Sequence, residues 1–203
     1  MIAVQVKQYA APPVNRREIL RYAGCREETA DIAALLDGCF AEAERVLTYS
    51  VCWAEFPVPE QIVSRDLRRN LSDCSSVIAF AATVGIGIDR LIARYSRIAP
   101  SKAVMLQAIG AERIESLCDA FQRDIGCLRP RFSPGYGDLP LSAQSHIFRA
   151  LDCPRRIGLS LNESMLMSPG KSVTALIGVG QADGECVRHD CEACKLPDCP
   201  FRR

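Results

Sequence analysis

Residues 75–83 read Ser-Ser-Val-Ile-Ala-Phe-Ala-Ala-Thr, a continuous apolar run bounded by Asp73 on one side and Gly85 on the other. A short apolar run with turn-forming residues at both ends is typical of a strand that is buried on both faces, although it also fits a buried helical segment. The sequence therefore predicts a core strand here, around which the other elements are arranged.

Helices and strands are expected on both sides of this run. Asn15 followed by Glu18 is a capping pattern that predicts a helix running towards Tyr22. Apolar spacing and turn residues predict further helices at about 28–46, 87–98, 101–124 and 141–151, and strands at 2–9, 47–53, 156–161 and 172–179. Because the strands are interspersed with long helices without regular βαβ alternation, the expected fold class is α+β.

The length and charge of the chain limit the classes of protein to which it could belong and the kinds of partner that it could bind. The 203 residues are 48% hydrophobic, with 25 basic and 24 acidic side chains. This length suits one domain at residues 1–182, followed by a short tail at 183–203. A net charge near zero favours neither nucleic acid nor an anionic membrane as a partner. The sequence shows no pattern of a transmembrane helix or a secretory signal, so a cytoplasmic location is expected.

The segment 131–138, Arg-Phe-Ser-Pro-Gly-Tyr-Gly-Asp, is the first candidate binding loop. Its proline and glycines allow backbone shapes that turn peptide groups towards a small polar ligand. The guanidinium of Arg131 suits a carboxylate, and Tyr136 offers a flat face and a hydroxyl group. Taken alone, the segment fits a rigid surface turn equally well.

A second candidate is the segment 161–172, Leu-Asn-Glu-Ser-Met-Leu-Met-Ser-Pro-Gly-Lys-Ser. Glu163 falls where a predicted strand gives way to a loop, and a Pro-Gly pair sets a turn further on. Taken alone, this segment is better explained as a connection between two strands, with its methionines filling the core.

Together, the two segments resemble the C-terminal reactivation domain of cobalamin-dependent methionine synthases. The resemblance rests on an Arg-x-x-x-Gly-Tyr motif, then a helix, then a Glu-Ser-x-x-Met-x-Pro-Gly-x-Ser segment that leads into a strand. The matching residues are Arg131, Gly135, Tyr136, Glu163, Ser164, Met167, Pro169, Gly170 and Ser172. The resemblance covers most of residues 15–180 and implies an α+β domain with a twisted antiparallel sheet, flanking helices and a shallow ligand cleft.

The resemblance implies that the chain binds S-adenosylmethionine. Arg131 would pair with the methionine carboxylate of the ligand. The loop at Gly135 and the backbone of Tyr136 and Asp138 would contact the rest of the ligand, and Glu163 would be a further polar residue of the same cleft.

One feature of the family has no match in this sequence. The family brings an acidic residue from the N-terminal part of the domain to the amino end of the ligand. Asp73 and Asp89 are acids available in that part of the chain, but neither lies in the family's motif. The resemblance therefore leaves the partner of the ligand's amino group open.

The reaction implied by the resemblance is the repair of a corrinoid cofactor. The cob(I)alamin of methionine synthase occasionally oxidises to inactive cob(II)alamin, and one electron and the methyl group of S-adenosylmethionine regenerate methylcobalamin. This sequence contains no Asp-x-His-x-x-Gly cobalamin-binding motif. The cobalamin is therefore expected on a partner, a corrinoid-binding methionine synthase that lacks its own reactivation domain. Such an accessory role requires no general base or nucleophile, because the cofactors carry the chemistry.

Four cysteines are concentrated in the tail, within fourteen residues, at Cys186, Cys191, Cys194 and Cys199. Because a reducing compartment disfavours disulfides, a metal site is expected. Four thiolates hold either zinc or an iron–sulfur cluster, and the need for an electron favours the cluster. Thiols without metal are the third alternative.

A second function is compatible with the same features. The chain would then be an iron–sulfur electron-transfer protein, or a zinc-stabilised accessory protein, of another corrinoid methyltransferase. The cysteines outside the tail mostly have apolar neighbours, so they are expected to be small residues of the core.

Overall fold

The computed structural model describes residues 3–126 and 129–180, which form an antiparallel sheet flanked by helices. The sheet contains, in spatial order, β1 (Gln5–Gln8), β2 (Ser50–Pro57), β3 (Cys74–Thr83) and β6 (Ser172–Gly180), and a separate hairpin pairs β4 (Ser160–Leu161) with β5 (Met167–Ser168). The helices are α1 (Arg16–Tyr22), α2 (Ala30–Glu44), α3 (Arg65–Asn70), α4 (Ile86–Ile98), α5 (Pro100–Ile125), α6 (Gln144–Leu151) and α7 (Cys153–Ile157), with a 3₁₀ turn at Leu141–Ala143. The predicted α+β class is confirmed. Within the described ranges, no helix has the length and apolar composition needed to cross a membrane.

Strand β3 is covered by helices on both of its faces. Ile78 and Phe80 join the larger core with residues of α1, α2, α4 and α5, whereas Ala79 and Ala81 join a smaller core with α6 and α7. Successive side chains of a strand point to opposite faces, so both cores draw on the same run. The apolar run is therefore a strand and not a helix, and burial on both faces explains why it contains so few polar residues.

Helix α5 supplies much of the larger core. The residues that recur at helical spacing in the predicted helix 101–124 are all buried, namely Met105, Leu106, Ile109, Ile114, Leu117, Cys118 and Phe121. The Phe121 ring lies 4.9 Å from the Phe80 ring and 5.2 Å from the Trp53 ring, measured between centroids. Tilted ring contacts at these distances are favourable beyond the area that they bury. Gly126, with a φ of 69°, ends the helix in the left-handed conformation that glycine adopts without strain.

The N-terminal segment is held against α5 by a buried ion pair. As predicted, the Asn15 side chain caps α1 by accepting a hydrogen bond from the backbone N–H of Glu18 (3.2 Å). The N–H of Asn15 donates to Glu112 (3.0 Å), so Glu112 takes the place that the capping box assigns to Glu18. The buried Arg113 pairs with Glu112 and also donates to the carbonyl oxygen of Pro12 (2.7 Å).

The strand predicted at 156–161 is wrong for most of its length. Helix α7 occupies residues up to Ile157, and only Ser160–Leu161 is extended. Pro154 suits the first turn of a helix, and Gly158, with a φ of 66°, suits its end. These two local signals outweigh the apolar pattern. The strand predicted at 47–53 forms as β2, which begins three residues later, at Ser50.

Gly87, in the first turn of α4, lies where the fold has no room for a side chain. A Cβ atom at this position would lie 2.6 Å from the Cβ of Val46 and would also collide with the Val46 carbonyl oxygen. Because this obstacle is backbone, Gly87→Ala is expected to lower the free energy of unfolding by about 1–3 kcal/mol in urea titrations.

Gly38 in α2 is the matched control, since no atom lies within 4 Å of the position that its Cβ would take. Gly38→Ala is expected to raise the free energy of unfolding by about 0.5–1 kcal/mol, because alanine loses less backbone entropy in a helix. Equal stabilities for the two variants would contradict the described packing of α4 against Val46.

Candidate ligand-binding site

The loop that follows α5 is joined to the edge of the sheet at β6. Phe132 and Leu176 exchange two backbone hydrogen bonds, both 2.9 Å long. The Phe132 side chain packs on a small core that includes Leu67 and Leu71. These contacts fix the direction of the chain on both sides of Phe132, with Arg131 on one side and the glycine-containing turn on the other.

The loop beyond Phe132 folds back on itself through Gly135 and Gly137, which have φ angles of 93° and 52°. The N–H of Tyr136 donates to the carbonyl of Ser133 (3.1 Å), and the Tyr136 carbonyl accepts from Leu139 (3.0 Å). The backbone groups of Tyr136, which the resemblance assigns to ligand contacts, are thus hydrogen-bonded within the turn. The Tyr136 side chain is 68% exposed.

Arg131 is turned onto α5, where it meets two carboxylates. Its Nη2 lies 3.0 Å from Oε2 of Glu115, and its Nη1 lies 2.5 Å from Oδ1 of Asp119. Nη1 also donates to the side-chain oxygen of Gln122 (3.2 Å). Burial alone would lower the pKa of Arg131, but the neighbouring Cys118 thiol and the two carboxylates raise it overall. The guanidinium is therefore a permanent, oriented cation that is 20% exposed.

Glu115 and Asp119 are site residues that the sequence pattern alone does not single out. They lie one turn apart on the outer face of α5, and their side chains are 36% and 48% exposed. Together with Arg131 they place one cation beside two anions on an accessible surface. An α-amino acid carries the complementary groups, a carboxylate for the guanidinium and an ammonium for the carboxylates.

Two acids of the N-terminal part, Asp73 and Asp89, lie on elements other than α5 and the 131–138 loop. Asp89 on α4 accepts a hydrogen bond from the N–H of Gly170 (2.6 Å). Asp73 stands in the turn before β3 with a φ of 62°. The carboxylates that contact Arg131 come from α5 instead.

Asp138 attaches the loop to the N-terminus of α3. Its carboxylate accepts hydrogen bonds from the Ser64 hydroxyl, from the N–H of Arg65 (2.8 Å) and from the N–H of Asp66 (3.2 Å). The hydrogen bond from Ser64, followed by those from the backbone, lowers the pKa of Asp138 to about 2. The carboxylate therefore stabilises the loop, so only the backbone of Asp138 remains available to contact a ligand.

Glu163 lies on a different element, exposed at the tip of the β4–β5 hairpin. The tip is closed by hydrogen bonds between Asn162 and Leu166, at 3.1 Å and 2.9 Å. Gln144 of α6 donates to the carbonyl of Met165 (3.1 Å) and so holds the hairpin against α6. That Glu163 shares a cleft with Arg131 stays a prediction.

Two of the surface cavities among the described residues have volumes of about 420 Å³ and 390 Å³. The first lies where Ser50 of β2, Thr83 of β3 and Ser168 of β5 meet, and the second lies between α6 and Pro154. Neither of these two is lined by the 131–138 loop. Because the side chains of Glu115 and Asp119 are 36% and 48% exposed, a ligand held by Arg131 would lie at an accessible surface.

The four cysteines of the predicted metal site, Cys186, Cys191, Cys194 and Cys199, lie outside the described residues. Within ranges 3–126 and 129–180, no group of three or more His, Cys, Asp or Glu side chains is placed to hold a metal ion. Metal binding by the tail stays a prediction.

The depressed pKa of Asp138 predicts a pH-dependent contribution to stability. The unfolded pKa of an aspartate is about 3.9, so the contribution is fully present above about pH 4 and is lost as the pH falls towards 2. In urea titrations, Asp138→Asn is expected to be less stable than the wild type at neutral pH, and the difference should shrink below pH 4. Glu60→Gln removes an exposed charge from the segment before α3. This variant should show the same pH dependence of the free energy of unfolding as the wild type. A wild-type advantage that persists undiminished at about pH 2 would contradict the capping role.

Comparison with known proteins identifies the fold. The sequence matches no family model and no curated protein. Its structure is similar to the crystal structure of the MetH reactivation domain bound to AdoHcy, with a TM-score of 0.65 and 15% sequence identity. The match covers 90% of this chain and 80% of that chain. At this identity the likeness concerns the fold and not the activity. The chain therefore has the fold of the MetH reactivation domain, the domain that its two sequence segments resemble.

Proposed function

We propose that this chain binds S-adenosylmethionine on the surface formed by the 131–138 loop and α5, and that it supports the reductive methylation of cob(II)alamin on a partner protein. The observation that carries the proposal is the fold, which matches a reactivation domain bound to AdoHcy over 90% of the chain. AdoHcy is the product that remains when S-adenosylmethionine has donated its methyl group.

The charges around Arg131 support this choice of ligand. S-adenosylmethionine carries a carboxylate, an ammonium and a sulfonium, so its net charge is positive. The cluster of Arg131, Glu115 and Asp119 has a net negative charge. The ligand carboxylate would approach Arg131, and its ammonium would take over one of the two carboxylates as a partner. Glu115 and Asp119 would thus replace the N-terminal acid of the family.

The openness of the site suits transfer to another protein. One electron reduces cob(II)alamin to cob(I)alamin, whose cobalt attacks the methyl carbon while the bond from carbon to the sulfonium sulfur breaks. The chain would contribute by holding the ligand with its methyl group accessible, which is catalysis by proximity and orientation. The partner that fits this reaction is a corrinoid-binding methionine synthase without its own reactivation domain.

The tail would supply the electron. Four thiols within fourteen residues, at Cys186, Cys191, Cys194 and Cys199, suit an iron–sulfur cluster or zinc, and of these two only the cluster transfers electrons. We therefore assign an iron–sulfur cluster to the tail as part of the same proposal.

Arg131→Ala is expected to weaken S-adenosylmethionine binding about 10- to 100-fold in calorimetric titrations, because the ligand carboxylate loses its charged partner. Arg123→Ala, which removes an exposed arginine from α5, should bind as the wild type does. Methylthioadenosine, which lacks the amino-acid part of the ligand, should bind weakly to all three proteins. Equal affinities of Arg131→Ala and Arg123→Ala for S-adenosylmethionine would contradict the proposed location of the binding site.

The proposed reaction predicts that methylcobalamin forms when this protein, S-adenosylmethionine, an electron source and a cob(II)alamin-loaded synthase are mixed. Absorption spectra report the product, and the anaerobically purified protein is analysed for iron, sulfide and zinc.

Cys191→Ser with Cys194→Ser should remove the metal and the reaction with a protein electron donor, whereas a strong chemical reductant should restore the reaction. Cys25→Ser is the matched control. A colourless protein that contains zinc would contradict the role of the tail, and no methylcobalamin under either condition would contradict the reaction.

A further inference from the structure

The cavity of about 390 Å³ between α6 and Pro154 is separate from the candidate ligand site, because none of its lining residues belongs to α5 or the 131–138 loop. Half of the lining is apolar and half is polar or charged: Phe148, Pro154 and Leu161, and Ser145, Arg149 and Asp152. Ligand pockets have volumes of about 300–1,000 Å³ and combine apolar walls with a few polar groups. The cavity therefore has the size and the mixed lining of a small-molecule site.

The apolar wall of the cavity is fixed by the smaller core. Phe148 is buried in that core, and Leu161 of β4 packs against it. Pro154, in the first turn of α7, adds a rigid ring without a backbone N–H group. Because packing already positions these side chains, an apolar group of a few carbons would find a preformed surface.

Two opposite charges line the same cavity at the end of α6. Arg149 lies in the last turn of the helix, and Asp152 ends it in the left-handed conformation, with a φ of 50°. Both side chains are exposed, and within the described part of the chain neither forms an ion pair. A cation and an anion one helical turn apart thus border one cavity without neutralising each other.

The ligand that matches this lining is an α-amino acid. Its carboxylate suits the planar guanidinium of Arg149, and its ammonium, on the adjacent carbon, suits the carboxylate of Asp152. The Ser145 hydroxyl donates to the carbonyl of Ser142 (2.8 Å), so its oxygen can accept a hydrogen bond from the ammonium. A phosphate would be repelled by Asp152, and a simple carboxylate would leave Asp152 without a partner.

We propose that the cavity between α6 and Pro154 binds a free α-amino acid with an apolar side chain, which contacts Phe148, Pro154 and Leu161. L-methionine is the probe, because the proposed partner is a methionine synthase. Only this choice of probe rests on the proposed function.

The test is calorimetric titration of the full-length protein with L-methionine, up to about 10 mM. Saturable binding is expected, and Arg149→Gln should weaken it about 10-fold or more. Asp152→Asn should also weaken binding, because asparagine accepts the left-handed conformation but carries no charge. Arg155→Gln is the matched control, since it removes an exposed arginine of α7 that does not line the cavity, and it should bind as the wild type does.

Two further ligands test the chemical class. Glycine should bind about 10-fold or more weakly than L-methionine, because it lacks the apolar contact. The compound 4-(methylthio)butanoate lacks the ammonium, so it should bind weakly and equally to the wild type and Asp152→Asn. The proposal is overturned if L-methionine shows no saturable binding, or if 4-(methylthio)butanoate binds the wild type as tightly as L-methionine does.

Arg131→Ala separates this site from the proposed S-adenosylmethionine site, which also suits an amino acid. L-methionine should still bind Arg131→Ala, and Arg149→Gln in that background should abolish the binding. Binding that is lost in Arg131→Ala but unchanged in Arg149→Gln would overturn the cavity site and leave the proposed function intact. Absence of S-adenosylmethionine binding, with L-methionine binding that depends on Arg149, would contradict the proposed function alone.

Discussion

The side chains of β3 alternate between two cores, and this strand thereby holds the helical layers on both sides of the sheet together. On one face Phe80 meets Phe121 of α5, and on the other Ala79 and Ala81 face α6 and α7. A shift of one residue in the register of β3 would exchange these two sets, placing Phe80 where only alanines fit. The pairing of β3 with β2 and β6 and the positions of α5, α6 and α7 all depend on this alternation.

The candidate ligand site depends on the core through α5. The buried face of this helix packs on the sheet, and its opposite face carries Glu115 and Asp119 towards Arg131. Backbone pairing of Phe132 with β6 and the carboxylate of Asp138 on α3 hold the loop at two further points. Charges that are positioned by a packed helix and a pinned loop are preorganised, so little ordering remains for a ligand to bring about.

The proposed function rests on two kinds of observation, the fold and the charges on its surface. A fold of this kind hosts many activities, so the choice of S-adenosylmethionine as the ligand depends on the charges of Arg131 and α5 in addition to the shape.

The sequence alone determined the features that follow local periodicity. The apolar run of β3, the buried face of α5 and the cap of α1 at Asn15 were all predicted, because each reflects neighbours that are at most a few turns apart. The two motifs that carry the family resemblance were readable for the same reason, and the match in fold confirms that resemblance. The prediction of a strand at 156–161 was wrong because the proline and glycine signals for a short helix competed with the apolar pattern.

Only the tertiary structure decided which distant groups meet. Arg131 meets carboxylates that lie 12 and 16 residues earlier, and Asp138 caps a helix more than 70 residues before it. No periodicity links such positions, since their contact depends on how the sheet and helices pack. The sequence determines the charge and the hydrogen-bonding capacity of each side chain, but the fold determines which group each side chain contacts.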